Sequence, residues 1–270
     1  MERCPLRDIV VGVKGAGEMA TGVAWRLWQA NIRRIFLLEV PRPLAVRRRV
    51  SFCEAIYEGE IEVSGVMAVS AGDVSGVQQA WEEGEIAVVV DPQWSLLDKL
   101  RPQVLIDAIL AKKNLGTRLD EAPLVVGLGP GFRAGIDCHM VIETNRGHNL
   151  GRVILAGAAE ANTGIPGEIG GYTQERVLRA PGDGTFTSPL DIGRLVRQGE
   201  RVGMVDGREV GAGIAGIIRG LLRSGTEVQE GVKLGDIDPR GEAAYCGTIS
   251  DKSLAIGGAV LEAILRVYNR

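Results

Sequence analysis

Several residue types on which common functions depend are scarce in this sequence. Aromatic side chains make up 4% of it, too few for a platform on which nucleobases stack. The net charge is -3 and the pI about 5.6, so the basic face that marks nucleic-acid partners is missing. There are two histidines and four cysteines. Cys4, Cys53, Cys138 and Cys246 stand far apart with no C-x-x-C pair, which leaves no local zinc site and no expected metal ligands. No apolar run approaches the length of a membrane span, so no membrane partner is expected. Arg3, Arg7 and Asp8 interrupt the start before a signal peptide could form, so a cytoplasmic chain with reduced thiols is expected. No Gly-Lys-[Ser/Thr] closes a P-loop, and no Gly-x-Ser-x-Gly forms a nucleophile elbow.

Glycine, by contrast, is abundant at 38 residues without collagen-like period, the mark of many tight turns and close backbone approaches. The first half alternates short apolar runs with helical patterns, which predicts an α/β fold with a largely parallel sheet. Strands are expected at 9–13, 35–38, 86–90, 104–106, 124–126 and 140–142. A hairpin is expected around Ser64-Gly65, and a helix from Glu18 to Ala30. After Gly147 the pattern changes to short β-like runs rich in glycine, followed by a terminal helix from Ser253 to Tyr268. The expected division is therefore a Rossmann-like nucleotide-binding domain over 1–148 and a β-rich domain plus C-terminal helix over 149–270.

The second half repeats itself. Gly193-x-x-Val196-x-x-Gly199-x-x-Val202-Gly203 recurs 32 residues later as Gly225-x-x-Val228-x-x-Gly231-x-x-Leu234-Gly235, and Asp206 matches Asp238. Such a repeat implies one structural unit used twice. The spacing resembles the paired halves of a biotinyl/lipoyl barrel-sandwich hybrid. The hairpin tip that carries a lysine in carriers of that fold is here Asp206-Gly207-Arg208-Glu209, so a scaffold or docking module is expected.

Gly15-Ala16-Gly17-Glu18-Met19-Ala20 fits G-x-G-x-x-[GA] between a strand and a helix. Gly15 permits the tight turn, Gly17 lets the backbone approach a pyrophosphate, and the helix start offers N–H groups to it. Glu39, 22 residues after Gly17, stands where an acid can bond a ribose hydroxyl. The alternative is a structural turn without ligand. Arg42, with Arg47, Arg48 and Arg49, could hold a further phosphate or form a solvated surface. Gly127, Gly129 and Gly131 follow another apolar strand and could form an anion-holding loop. Lys112 follows the strand at 104–106 and would meet an anion at the same edge, or be an ordinary surface lysine. A dinucleotide such as NAD(P) suits these residues, with a 2′-phosphate or a pterin phosphate at the arginines.

His139 and Glu143 lie an even number of residues apart and would share a strand face, as an acid–base pair or as part of a hydrogen-bond network. Cys246 stands ahead of the terminal helix with Lys252 nearby, features that lower a thiol pKa. It is the candidate for the most reactive thiol, against the alternative of an inert buried cysteine.

The stretches GAGEMATGVAWRLW (Gly15 to Trp28), LEVPRPLAVRR (Leu38 to Arg48), LGPGFRAG (Leu128 to Gly135), ETNRGHNLGRV (Glu143 to Val153) and DPR (Asp238 to Arg240) resemble the YqeB family, described as a selenium-dependent molybdenum hydroxylase system protein. The resemblance runs from about Val11 to Leu265. It implies an accessory or maturation role for a molybdenum hydroxylase, similar to that of the xanthine dehydrogenase accessory factors, with the hydroxylase or its maturation machinery as partner and a molybdopterin-type nucleotide beside NAD(P) as the ligand class. It carries over no catalytic residue. The competing expectations are an NAD(P)-dependent oxidoreductase using His139 as proton donor, and a nucleotide-sensing scaffold without catalysis.

Overall fold

The computed structural model describes residues 5–269 of this mixed α/β protein, and Cys4 lies outside them. The strands of its first unit are β1 (Val10–Lys14), β2 (Arg34–Glu39), β3 (Glu60–Val63), β4 (Val66–Ala71), β5 (Ile86–Val90), β6 (Val104–Asp107), β7 (Leu124–Leu128), β8 (Arg133–Ala134), β9 (Met140–Ile142), β10 (Val153–Ile154) and β11 (Gly157–Ala158), and the apolar runs among them give the parallel ones. Among the described residues nine of them form one sheet in the order β10-β9-β7-β6-β1-β2-β5-β4-β3. The seven strands from β9 to β4 run parallel, and β10 and β3 close the two edges antiparallel. From β1 the chain adds β2, places the β3–β4 hairpin at the far edge and β5 between β2 and β4, then returns to the other side of β1 with β6. The strand order therefore reverses at the β1–β6 seam. The β3–β4 hairpin turns at Ser64 and Gly65, both with positive φ, the geometry of a tight two-residue turn.

Helix α1 (Glu18–Gln29) follows β1 directly. Its apolar residues Met19, Val23 and Leu27 lie on one stripe and are buried. Helix α2 (Ala55–Glu58), α3 (Val74–Glu82), with Asp73 capping its start, and α4 (Leu96–Leu100) connect later strands. A short helix, α5 (Ala244–Gly247), precedes the long C-terminal α6 (Asp251–Tyr268), whose first turn is capped by Ser250. No described helix is long and apolar enough to cross a membrane.

The chain divides into two compact units, but not at residue 148. The first unit comprises the chain up to Pro43, Ser51–Asn162 and the stretch from Ile249 on; the second comprises Leu44–Val50 and Thr163–Thr248. The boundary moves because β10 and β11, beyond residue 148, hydrogen-bond to β9 and β8. The C-terminal helix also leaves the β-rich part and joins the first unit. Its periodicity announced a helix; what it packs on is decided by small residues. A Cβ added at Gly22 of α1 would lie 2.6 Å from the Ser253 side chain, and one added at Gly257 would lie 2.7 Å from the Gly22 carbonyl. The two helices touch backbone to backbone.

The second unit contains β12 (Val177–Arg179), β13 (Gly184–Thr187), β14 (Leu195–Val196), β15 (Arg201–Val205), β16 (Arg208–Gly211), β17 (Gly216–Leu221), β18 (Thr226–Val228) and β19 (Lys233–Asp238). They form two four-stranded sheets, β16-β15-β13-β18 and β12-β19-β17-β14. Shifting by 32 residues carries β13, β14 and β15 onto β17, β18 and β19, and the two sheet orders then correspond strand for strand. The repeated glycines are equivalent in detail. Gly193 and Gly225 have φ of 97° and 87°, Gly199 and Gly231 of 80° and 77°. Gly199 N–H donates to the Ala212 carbonyl at 2.8 Å, and Gly231 N–H to that of Ala180 at 2.9 Å. Val196, Val202, Val228 and Leu234 fill a common core with Phe186, Ile218 and Cys246.

Candidate functional site

The C-terminal ends of the parallel strands bring most of the polar residues to one edge of the first unit. Gly15-Ala16-Gly17 turns from β1 into α1 there. Gly15 has φ +91°, and a Cβ on it would press at 3.3 Å on the backbone of Ala108 and Ile109 after β6. Its own N–H donates to the Leu38 carbonyl at 2.7 Å. Gly15 is thus held by the fold itself. Gly17 differs: its φ of -73° is ordinary for any residue, and no atom lies within 4 Å of an added Cβ. The fold leaves the face of Gly17 open at the start of a helix, where N–H groups and the helix dipole favour an anion.

Glu39 ends β2 beside this turn. One carboxylate oxygen accepts the Ala16 N–H at 2.8 Å and the other the Val40 N–H at 2.8 Å. Burial raises its pKa, against the lowering pull of those two N–H groups. Because the folded state holds this proton longer, the stability contribution is full below the ordinary value of 4.5 and is lost as pH rises through the raised folded value. Across that window the stability of the wild type is expected to fall relative to Glu39→Gln, and the difference to stay flat above it. Urea unfolding at several pH values measures this; a parallel course of the two proteins would contradict it.

A second group at this edge was not singled out by sequence. Lys14, the last residue of β1, is fully buried. Its Nζ donates to Thr117 Oγ1 at 2.8 Å and to both oxygens of Glu121 at 2.9 Å, and it stands 3.6 Å from the centre of the Trp94 ring. Burial lowers its pKa, while Glu121 and Asp107 pull it up. Thr117 in turn donates to Asp107 Oδ2 at 2.7 Å, and burial raises the Asp107 pKa. This network pins the loop after β6 to the end of β1.

The other expected residues fall differently. Arg42 is exposed in the loop after β2, and Lys112 in the loop after β6. Arg47 donates to the carbonyls of Tyr245 and Thr248, Arg48 to Leu221 and Asp191, and Arg49 to Ile192. These three serve the second unit rather than a phosphate beside Glu39. The glycines after β7 are explained by packing: Phe132 fills the space beside Gly127 and Thr144 that beside Gly129, while Lys113 backbone lies 2.6 Å from a Cβ on Gly131. The Gly129 N–H already donates to the Ile142 carbonyl at 2.8 Å, so it is not offered to an anion.

His139 corrects the expectation more sharply. It precedes β9, at the opposite edge of the sheet from the Gly15 turn, and its Nδ1 accepts the Val125 N–H at 3.0 Å. Glu143 follows β9 at the other end, where its oxygens accept the N–H groups of Asn145 and Glu160, both at 2.7 Å. Equal parity puts two residues on one face; it does not put them at one end of a strand. No acid–base pair forms between them, and His139 is no proton donor to a ligand at Gly17.

Cys246 is also corrected. It lies within α5, not at the start of α6, and is 1% exposed in the core of the second unit. Burial raises its pKa and outweighs the lowering effect of Arg47, Arg49 and Arg219. Cys53 and Cys138 are buried as well, and burial pushes the Cys138 thiol up to about 11. Among the described residues no group of three or more His, Cys, Asp and Glu side chains could hold a metal ion.

No family model matches this chain. A curated relative does: Uncharacterized protein YqeB of Escherichia coli (strain K12) is 49% identical over 261 residues, 97% of this chain and 48% of the relative. The chain thus spans about half the length of the curated relative it matches. Solved structures with partial likeness include the product-bound ectoine utilization protein EutE (DoeB) from Ruegeria pomeroyi, at 12% identity and TM-score 0.24 over 84% of this chain and 56% of that one. A succinylglutamate desuccinylase/aspartoacylase from Rhodobacter sphaeroides is 15% identical, with TM-score 0.26 over 85% and 84% of the two chains. Likenesses of that depth assign neither fold nor function.

Proposed function

With YqeB as a homologue of this chain over almost its whole length, we propose that it is an accessory factor for a molybdenum hydroxylase of the selenium-dependent kind, and that it binds a nucleotide, or the nucleotide-bearing form of the molybdenum cofactor, at Gly15–Gly17. The observation that carries the binding half is the open face of Gly17. It lies at the end of β1 and the start of α1, next to the seam where the strand order reverses. Open parallel sheets of Rossmann-like order bind ligands at such a reversal, outside the carboxyl ends of the strands. The fit is physical. A phosphate needs backbone N–H groups without a Cβ in front of them, which Gly17 supplies. A ribose needs an acceptor one strand away, which Glu39 supplies; both its oxygens keep a free lone pair after accepting one N–H each.

The second unit is read as a barrel-sandwich hybrid that docks a partner enzyme. Its tip at Asp206–Glu209 has no lysine for a prosthetic group, so the carrier chemistry of that fold is not part of the reading. The oxidoreductase alternative loses its proton donor with His139 at the far edge.

Calorimetric titration of the full chain with ADP and NAD tests the binding half. Gly17→Val is expected to weaken binding by tenfold or more, roughly 1.4 kcal/mol or above, while costing only about 1 kcal/mol of stability at this cap position. Equal affinity of the two proteins would sink the assignment. Native mass spectrometry of the purified protein, searched for a retained nucleotide or pterin, tests the ligand class.

A further inference from the structure

Two loops of the first unit are fastened to each other, one after β6 and one after β7. A Cβ on Gly131 would lie 2.6 Å from the Lys113 backbone, so the loops meet main chain to main chain. Asn114 reinforces the contact. Its Oδ1 accepts the N–H groups of Gly116 and Thr117, both at 2.8 Å. Its amide donates to the Thr117 carbonyl at 2.8 Å and to Asp137 Oδ1 at 3.3 Å. The other Asp137 oxygen accepts the Arg133 N–H at 2.7 Å. Leu110 and Lys112 hold φ of 59° and 62° in the first of these loops, a geometry that such side chains keep only where the surroundings impose it. The surface that the two loops present is therefore preformed.

That surface is both aliphatic and positively charged. Leu115 adjoins Asn114 and Ile136 adjoins Asp137 in the chain, and they are 46% and 64% exposed. Leu155 is 56% exposed. It and Ile136 each lie two residues beyond the Gly157–Ala134 pair, at the same end of the β8–β11 ladder. Lys112 and Lys113 precede Leu115 in its loop, and Arg133 precedes Ile136; all three are exposed. Among the described residues none of the three makes an ion pair. Asp137, the nearest carboxylate in the sequence of these loops, is engaged by the loops themselves. Solvated cations are ordinary on a surface, but bulky aliphatic side chains held in water together by fixed main chain mark an interaction site.

We propose that this surface docks another protein, through a segment that sets carboxylates around aliphatic side chains. Charge selects that occupant. The chain carries a net charge of -3, so three unpaired cations in adjoining loops stand against its overall sign and favour a partner of the opposite one. In a symmetric dimer the same cations would face each other. For a nucleic acid three cations are few, and no exposed aromatic side chain accompanies them. The aliphatic trio would form the dry centre of the contact and the cations its polar rim. The preformed loops spare the partner the cost of ordering them. The inference does not depend on the nucleotide reading.

The test is photo-crosslinking in cells that naturally make the protein, with p-benzoylphenylalanine in place of Ile136 in the full chain. One discrete adduct with another protein is expected. Its crosslinked peptide should hold more Asp and Glu than Lys and Arg, together with Leu, Ile or Val. The same photoprobe at Glu62, exposed on the opposite edge strand β3, should not give that adduct. Lys113→Glu combined with Arg133→Glu should cut the yield about tenfold or more, and Leu155→Ser should also lower it several-fold. These changes alter exposed side chains, so both variants should unfold near the wild-type temperature. A measurement without any variant guards against misfolding: the partner peptide, once synthesised, should bind the unsubstituted chain less tightly as salt rises from about 0.1 to 0.5 M. Salt-independent binding, an adduct that survives either variant, a basic crosslinked peptide, or no adduct specific to Ile136 each overturns the inference. So does an adduct with nucleic acid, with lipid or with a second copy of this chain.

Discussion

Lys14→Met is expected to destabilise the protein by about 3–5 kcal/mol, the cost of removing one partner from a buried ion pair. The substitution keeps the length of the side chain and its packing under Trp94. What it deletes is the ammonium that donates to Glu121 and Thr117 and faces the Trp94 ring. Glu121 would be left as a largely buried carboxylate whose remaining hydrogen bond comes from the Arg118 N–H. Thr117 would keep its bond to Asp107. Adding Glu121→Gln should return part of the loss, because the stranded charge goes with it, and the double-mutant cycle isolates the pair. Guanidinium unfolding of the four proteins measures these values. A loss below about 1 kcal/mol for Lys14→Met would mean that desolvation cancels the pair.

Gly131→Ala is expected to cost about 2–4 kcal/mol, combining backbone strain with overpacking. The φ of +110° lies in a region that side chains rarely adopt, and the new methyl group would meet Lys113 backbone at 2.6 Å. Backbone cannot rotate aside as a side chain can, so the loop after β6 must shift. Gly17→Ala provides the contrast, with an ordinary φ and open space, and should cost under about 1 kcal/mol. Comparable losses for the two, by thermal unfolding, would refute the distinction between a glycine required by the fold and one whose face the fold leaves open.

The strands, the turn at Gly15 and the 32-residue repeat were legible because each is a local pattern: an apolar run, a glycine spacing, a period. The Lys14 network was not, since Lys14 lies more than 100 residues from Thr117 and Glu121 in sequence. A lysine ending a strand also looks like any residue leaving the core for solvent. The anion-loop reading of Gly127–Gly131 failed for a related reason. A glycine permits close approach, and the sequence does not say whether a ligand or the chain itself approaches. Cys246 was misread because it sits inside a separate four-residue helix that ends before the Ser250 cap of the helix whose dipole it was expected to feel.

The two units interleave along the chain, and this bears on the order in which the protein can be built. A ribosome reading from the start delivers β1 and α1 first, yet α6, which packs on α1, β7, β9 and β10, emerges only after the whole β-rich unit has been made. That unit receives its last segment at Thr248, so its core can close while the sheet of the first unit still lacks a helix. Until residues 251–268 arrive, the small-residue face of α1 at Gly22 stays uncovered, and the nascent sheet exposes the apolar surface that invites aggregation or chaperone capture. The older half of the polypeptide is thus the later one to mature.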